Sequence, residues 1–266
     1  MAWHLPSCDT RMLRHFLGLL AATAIACPSA AAAQPAAGDM LERMPAELET
    51  RFALSAAPPA LRESASAYLL NPPSGYHLAR RGTSGVACLV ERTSWELADF
   101  RNDIYFPLCF DAAGAATYMK MIIDVAALRA EGLGPAALKA EIESRWKSRS
   151  YVPPGKAGVS YMVGPVMRTI GPPDLKVHTM AMPHLMFYAP NVTNADLGAK
   201  PDLADPETLR SPFIDRQGID EHSYIIQLVG QAEKAKILAR ERQLIEDLCT
   251  YRKVLCLEQE GAHAAH

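Results

Sequence analysis

Five residues of two soft types share one alternation. In His178-Thr179-Met180-Ala181-Met182-Pro183-His184-Leu185-Met186, a histidine or methionine occupies every second position. An extended strand puts alternate residues on one face. His178, Met180, Met182, His184 and Met186 would then present a row of imidazoles and thioethers, a ligand set suited to Cu(I). Met162 and Met167, just upstream, would stand alongside. A strand buried on both faces explains the methionines as well. Methionine fills irregular gaps in cores, Ala181, Leu185 and Phe187 between the soft residues are apolar, and Pro183 interrupts any ladder. The expectation is therefore a structural strand and no cofactor, with copper as the alternative.

A second grouping, Asp215-Arg216-Gln217-Gly218-Ile219-Asp220-Glu221-His222, gathers acids and a histidine around a glycine. Asp215, Asp220, Glu221 and His222 suit a divalent cation or a general acid–base pair. Their spacing matches neither an EF-hand loop nor a zinc helix motif, so a solvated loop is the plain reading. His77, with Arg80 and Arg81, reads as a polar strand edge with anion binding as its sharper alternative. His263 and His266 are too few for a metal site. The chain has no Gly-x-Ser-x-Gly elbow, Walker loop, His-Glu-x-x-His, Cys-x-x-Cys or post-strand Gly-x-Gly-x-x-Gly. Enzymes with local signatures are disfavoured by that absence; an active site assembled from scattered residues is not.

The elements that would position these groups begin with an export segment. Arg11 and Arg14 lead into the apolar run Phe16 to Ala26, and small residues end at Ala31-Ala32-Ala33. That is the pattern of a signal peptide over residues 1–33, too short to span a bilayer. Met12 offers a second start, and Cys27 after Ala24-Ile25-Ala26 offers an acylation site. A periplasmic or secreted location follows. Residues 34–38 read as a leader, 39–260 as one domain and 261–266 as a loose tail. Removing Arg11, Arg14 and Asp9 from 27 Lys+Arg and 29 Asp+Glu leaves a net charge of −3. So small a charge gives no footprint for nucleic acid, and no later apolar run has spanning length.

Cys88, Cys109, Cys249 and Cys256 follow the export segment, and an even number in an exported chain favours two disulfides. Three pairings are possible. Cys88 and Cys109 both lie in strand-like runs, and neighbouring strands bring side chains close enough to bridge, so Cys88–Cys109 is favoured. The loop it closes is worth about 3 kcal/mol on the chain-entropy account. Cys249–Cys256 then remains. It requires the last helix to stop near Cys249, because an unbroken helix would separate the two by roughly 10.5 Å.

Periodicity supplies the rest. Apolar positions at helical spacing predict helices over 40–55, 115–130, 135–147 and 231–249. Tyr76 to Arg81 and Val86 to Thr93 flank Gly82-Thr83-Ser84-Gly85, which predicts a hairpin. Further strands are expected at 104–110, 159–168, 176–188 and 222–229, with a long loop over 191–220. Regular βαβ alternation is absent. The fold class expected is α+β, a mainly antiparallel sheet with helices packed on one face.

Ser55-Ala56-Ala57-Pro58, Gly82-Thr83-Ser84-Gly85 before Cys88, and Pro107-Leu108-Cys109-Phe110-Asp111 resemble a group of exported bacterial proteins of unknown function. Those carry Ser-Ala-Ala-Pro, then Gly-Thr-Asn-Gly before a Cys, then Pro-x-Cys-Phe-Asp; Ser84 stands here in place of Asn. The resemblance covers about the first third of the chain after the signal. It implies export and the Cys88/Cys109 pairing, and no activity. The functional expectation is a non-enzymatic domain that binds a small or apolar ligand or an envelope partner. The alternatives are a soft-metal protein and an enzyme, hydrolase-like, with its site under the 191–220 loop.

Overall fold

Ten strands and eight helices are laid out in a computed structural model that describes residues 40–216 and 218–257. The expected signal peptide with Cys27, the leader and the 261–266 tail lie outside the described residues. The strands are β1 (Ser66–Asn71), β2 (Gly75–Arg80), β3 (Ala87–Glu91), β4 (Phe106–Phe110), β5 (Val159–Met162), β6 (Met167–Gly171), β7 (Lys176–Met180), β8 (His184–Tyr188), β9 (Phe213–Arg216) and β10 (Ser223–Leu228). The helices are α1 (Ala46–Ser55), α2 (Pro59–Arg62), α3 (Ala112–Gly114), α4 (Lys120–Ala130), α5 (Pro135–Lys147), α6 (Asn194–Leu197), α7 (Gln231–Arg240) and α8 (Arg242–Tyr251). A π-helical turn, Ala115–Met119, joins α3 to α4.

Eight strands form one sheet in the order β2-β1-β3-β4-β5-β8-β10-β9, while β6 and β7 make a separate ribbon. Every pairing is antiparallel except β1 with β3. The α+β class with a mainly antiparallel sheet is what forms. The helices, expected on one face, pack on both. The physical reason lies in β3 and β4, where consecutive residues from Ala87 to Val90 and Leu108 to Phe110 are all buried. A strand that is apolar at every position needs cover on each side. Ala87, Leu89, Leu108 and Phe110 pack with α4 and α5 through Met121, Ile122, Leu138 and Trp146. Cys88, Val90 and Cys109 pack with α1 and α8 through Phe52, Leu244 and Leu248.

The predicted hairpin between residues 76–81 and 86–93 does not form. Strand β1 lies between β2 and β3, and β2 turns back from β1 through Asn71 to Gly75. The glycine-rich segment instead carries the chain from the sheet edge past β1. The amides of Thr83 and Ser84 donate to Ser64 O at 2.7 and 3.0 Å. At Gly82 a Cβ would lie 2.2 Å from that same oxygen, so the glycine serves a close backbone crossing and not a tight turn.

The two strands expected over 159–168 and 176–188 each split in two, because Gly164-Pro165 and Pro183 cannot continue a ladder. The 191–220 loop contains β9, which pairs with β10. The last helix is also double, broken at Glu241 between α7 and α8. Both expected disulfides are present, Cys88–Cys109 across directly paired positions of β3 and β4, and Cys249–Cys256. In the second, α8 ends at Tyr251 and Arg252 adopts an extended conformation. That turn brings the Cα atoms to 4.3 Å. Among the described residues no helix is long and apolar enough to cross a membrane.

Candidate functional site

The face of the sheet under α4 contains a cavity of about 170 Å³. Alternation positions its floor. Phe106, Leu108 and Phe110 of β4, His184 and Met186 of β8, and Tyr224 and Ile226 of β10 all point to this side. The register supports the same rows, since Met186 sits directly opposite Ile226 and Glu91 directly opposite Phe106. Tyr118, Met121 and Ile122 form the roof, and Glu91, Ser94, Glu96, Thr169 and Asp215 complete the lining. Its volume is close to the roughly 150 Å³ that holds benzene in a wholly apolar cavity, although acidic and polar side chains share the lining here.

The roof is held by a capping carboxylate. Asp111 Oδ1 accepts from the Gly114 amide at 2.8 Å and from the Tyr188 hydroxyl at 2.9 Å, while its Oδ2 accepts from the Val159 amide at 3.1 Å. A Cβ on Gly114 would lie 1.9 Å from the Tyr188 hydroxyl oxygen, so only glycine lets the chain enter the π turn this close to β8. The π turn then carries Tyr118 over the sheet, with its ring 4.5 Å from Tyr224 and 5.4 Å from Tyr188. Such turns recur at functional sites because they redirect one side chain.

The polar groups of this cavity are poorly paired. Tyr118 is 1 % exposed, and among the described residues its hydroxyl has no hydrogen-bond partner. Burial raises the phenol above its ordinary range, so it stays a proton donor without an acceptor. Burial also raises the Glu91 carboxyl well above the usual carboxylate range, with nearby Glu96 adding to the shift. Glu96 is an exposed residue whose carboxyl nonetheless loses part of its hydration to neighbouring protein atoms. That loss, reinforced by Asp215 and opposed by a backbone amide and Lys139, pushes it up to about 7. The His184 ring is buried and its pKa is lowered by that burial. Its Nδ1 lies 2.7 Å from Met182 O. A carbonyl only accepts, so Nδ1 carries the proton and Nε2 of the neutral ring is an acceptor.

The structure divides the residues singled out from sequence. His178 and Met180 lie on β7 and His184 and Met186 on β8, in different sheets, with Met182 in the connection. The single extended row therefore does not form, because Pro183 ends one strand and the next joins another sheet. Met162 sits opposite His184, and Met167 opposite Met180. His178 Nε2 lies 2.6 Å from Asp174 Oδ1, and that hydrogen bond holds the Asp174 carboxyl below its usual range.

The acidic grouping also separates. Asp215 lines the cavity. Asp220 pairs with Arg216 at 3.3 Å and Glu221 with Arg149 at 2.9 Å. His222 is buried with its ring 4.0 Å from that of Trp146, and desolvation lowers its pKa to about 4. His77 lies on the edge strand β2. His184, Met186 and Asp215 thus meet from two separate sequence groups. Sequence reasoning missed Glu91, Glu96 and Tyr118. One signal was present for Glu91: it continues the inward alternation Ala87, Leu89, Glu91 of a strand otherwise apolar on that face.

Neither models of protein families, nor curated proteins, nor solved structures gave a match to this chain, so the functional reading rests on the cavity's own chemistry.

Proposed function

We infer that this chain is an exported, disulfide-linked, non-enzymatic domain that takes a small ligand into the cavity between the sheet and α4. The observation that carries the reading is a chamber of about 170 Å³, lined by aromatic, apolar and acidic side chains, with the fully buried, unpartnered Tyr118 hydroxyl beside it. An orphaned buried donor destabilises the empty protein by about 1–3 kcal/mol, and a ligand acceptor would relieve that penalty. The two disulfides fit an oxidising compartment.

Thermal unfolding of the oxidised protein with phenol, benzyl alcohol and cyclohexanol tests the reading. A ligand at a hundredfold its Kd stabilises by about 2.7 kcal/mol, a shift of several degrees in Tm. Ile122→Trp, which fills the chamber, should abolish the shift while remaining folded. Unchanged Tm with every probe, or an equal shift in the filled variant, overturns the reading.

A second reading, acid–base catalysis, is favoured by one observation. Glu96 has its pKa near 7 beside a second acid, Glu91, and an acid or base poised near ambient pH is what proton transfer needs. Hydrolytic turnover in a substrate panel that is unaltered by Glu96→Gln removes this residue from any mechanism.

A further inference from the structure

We propose that the cavity selects a small organic cation, an ammonium group carried on a compact apolar or aromatic body. This rests on the cavity being a ligand site and goes further, naming the class of ligand. The lining holds three carboxyl groups, Glu91, Glu96 and Asp215, and no lysine or arginine. Glu91 is the decisive group. Among the described residues its side chain has no ion pair or hydrogen bond, and the charge that shifts its pKa is another acid, Glu96. Glu91 is half-buried, and ionising a carboxyl there without a cation is disfavoured, so an incoming cation favours its charged form.

Other cations on this side are committed elsewhere. Lys139, beside Glu96, donates its ammonium to the Glu96 carbonyl oxygen at 2.7 Å. Arg92, next in sequence to Glu91, is turned to the opposite side of the sheet, where it donates to Ile104 O and lies over the Tyr105 ring. The remaining wall suits the other half of such a ligand. Phe106, Phe110, Tyr118 and Tyr224 offer aromatic faces, and aromatic faces attract a desolvated ammonium while packing against an apolar body. The unpartnered Tyr118 hydroxyl is independent of the acids, and its oxygen can accept an ammonium N–H. A carboxylate ligand would add a further acid to the three in the lining, and a neutral alcohol brings no charge that favours their ionised form.

Binding also moves a proton in a defined direction. Burial raises the Glu91 pKa and an ammonium beside it lowers it again, so a proton that Glu91 gives up on binding passes to the buffer; no covalent bond changes. The proton inventory is one released per ligand bound at pH values where the empty-site carboxyl is neutral.

Isothermal titration with benzylamine, benzyl alcohol and benzoate, matched in size, provides the test. Benzylamine should bind at least tenfold tighter than benzyl alcohol, and benzoate weakest. Glu91→Gln should erase the amine preference while keeping benzyl alcohol binding. At a pH where the ligand-free protein holds Glu91 neutral, the wild-type benzylamine enthalpy should vary with the ionisation enthalpy of the buffer, a readout that needs no variant to fold. Benzyl alcohol binding as tightly as the amine, or an amine enthalpy independent of buffer, overturns the cation proposal and leaves the cavity reading standing. Binding of none of the three overturns both.

Discussion

The two faces of the sheet are built from the same strands and differ in how completely they are finished. On the face covered by α1 and α8, a disulfide crosses β3 and β4, and Phe52, Ala53, Cys88, Cys109 and Leu248 are wholly buried. Polar groups there find partners: Arg62 binds Glu241 at 2.6 Å, and Glu49 accepts from the Leu70 amide at 2.9 Å, although Arg168 Nε is without one among the described residues. The opposite face, under α4 and α5, leaves the Tyr118 hydroxyl, the Trp95 and Trp146 Nε1 groups and His222 Nδ1 without partners. It also leaves a chamber. Packed, satisfied interiors are the stable arrangement, and proteins depart from that rule mainly where function requires it. The comparison teaches that one face supplies stability and the other retains space and unsatisfied polarity.

The largest effect that would break this contrast comes from the closed face. Phe52→Ala should destabilise by about 4 kcal/mol, because a fully buried ring leaves a cavity that dense surroundings cannot collapse. Urea unfolding measures it, and a loss below about 1 kcal/mol would show that the face is not tightly packed.

Next in size is a pH effect on the same side. Burial pushes Glu49 up to about 7, against the ordinary 4.5, with the Leu70 amide and Arg92 opposing. Because the folded-state pKa is the higher one, this group's contribution is complete below about pH 4.5 and is lost as pH rises to about 7. Glu49→Gln keeps an acceptor for Leu70 and removes the ionisation. Its stability relative to wild type should rise by roughly 3 kcal/mol between pH 4.5 and 7.5. Parallel pH profiles for the two proteins would contradict the assignment.

The smallest expected effect sharpens the comparison most. Tyr118→Phe removes a hydroxyl that has no partner and should stabilise the ligand-free protein by about 1 kcal/mol. Tyr188→Phe removes one that donates to Asp111 and should destabilise by a similar amount. If chemical denaturation gives both substitutions the same sign, the orphan status of Tyr118 is wrong.

Much of the architecture was legible along the chain. Trp146, Ile142 and Leu138 announced the buried side of α5 by spacing, and all three are buried. The strand-like settings of Cys88 and Cys109 announced their pairing. The hairpin failed because the order of strands in a sheet is not a local property: the Gly82–Gly85 segment has the composition of a turn, yet its partner is the remote backbone at Ser64. The row of histidines and methionines failed for a related reason. Pro183 was visible as an interruption, but that its two sides join different sheets was not.

Side-chain periodicity follows from neighbours a few residues apart, and the pairing of cysteines from the strand-like runs and the helix end that hold them. The α+β class, the helix faces and the disulfides were therefore readable before any fold was known. The chamber belongs to another level. Glu91, Tyr118, His184, Asp215 and Tyr224 come from elements scattered over half the chain, and only their packing puts them around one space. Burial then alters each group's chemistry, turning an ordinary glutamate into a raised, unpartnered acid and an ordinary tyrosine into a donor with nothing to bind. Those properties arise from desolvation by distant residues, so they came into being with the tertiary structure.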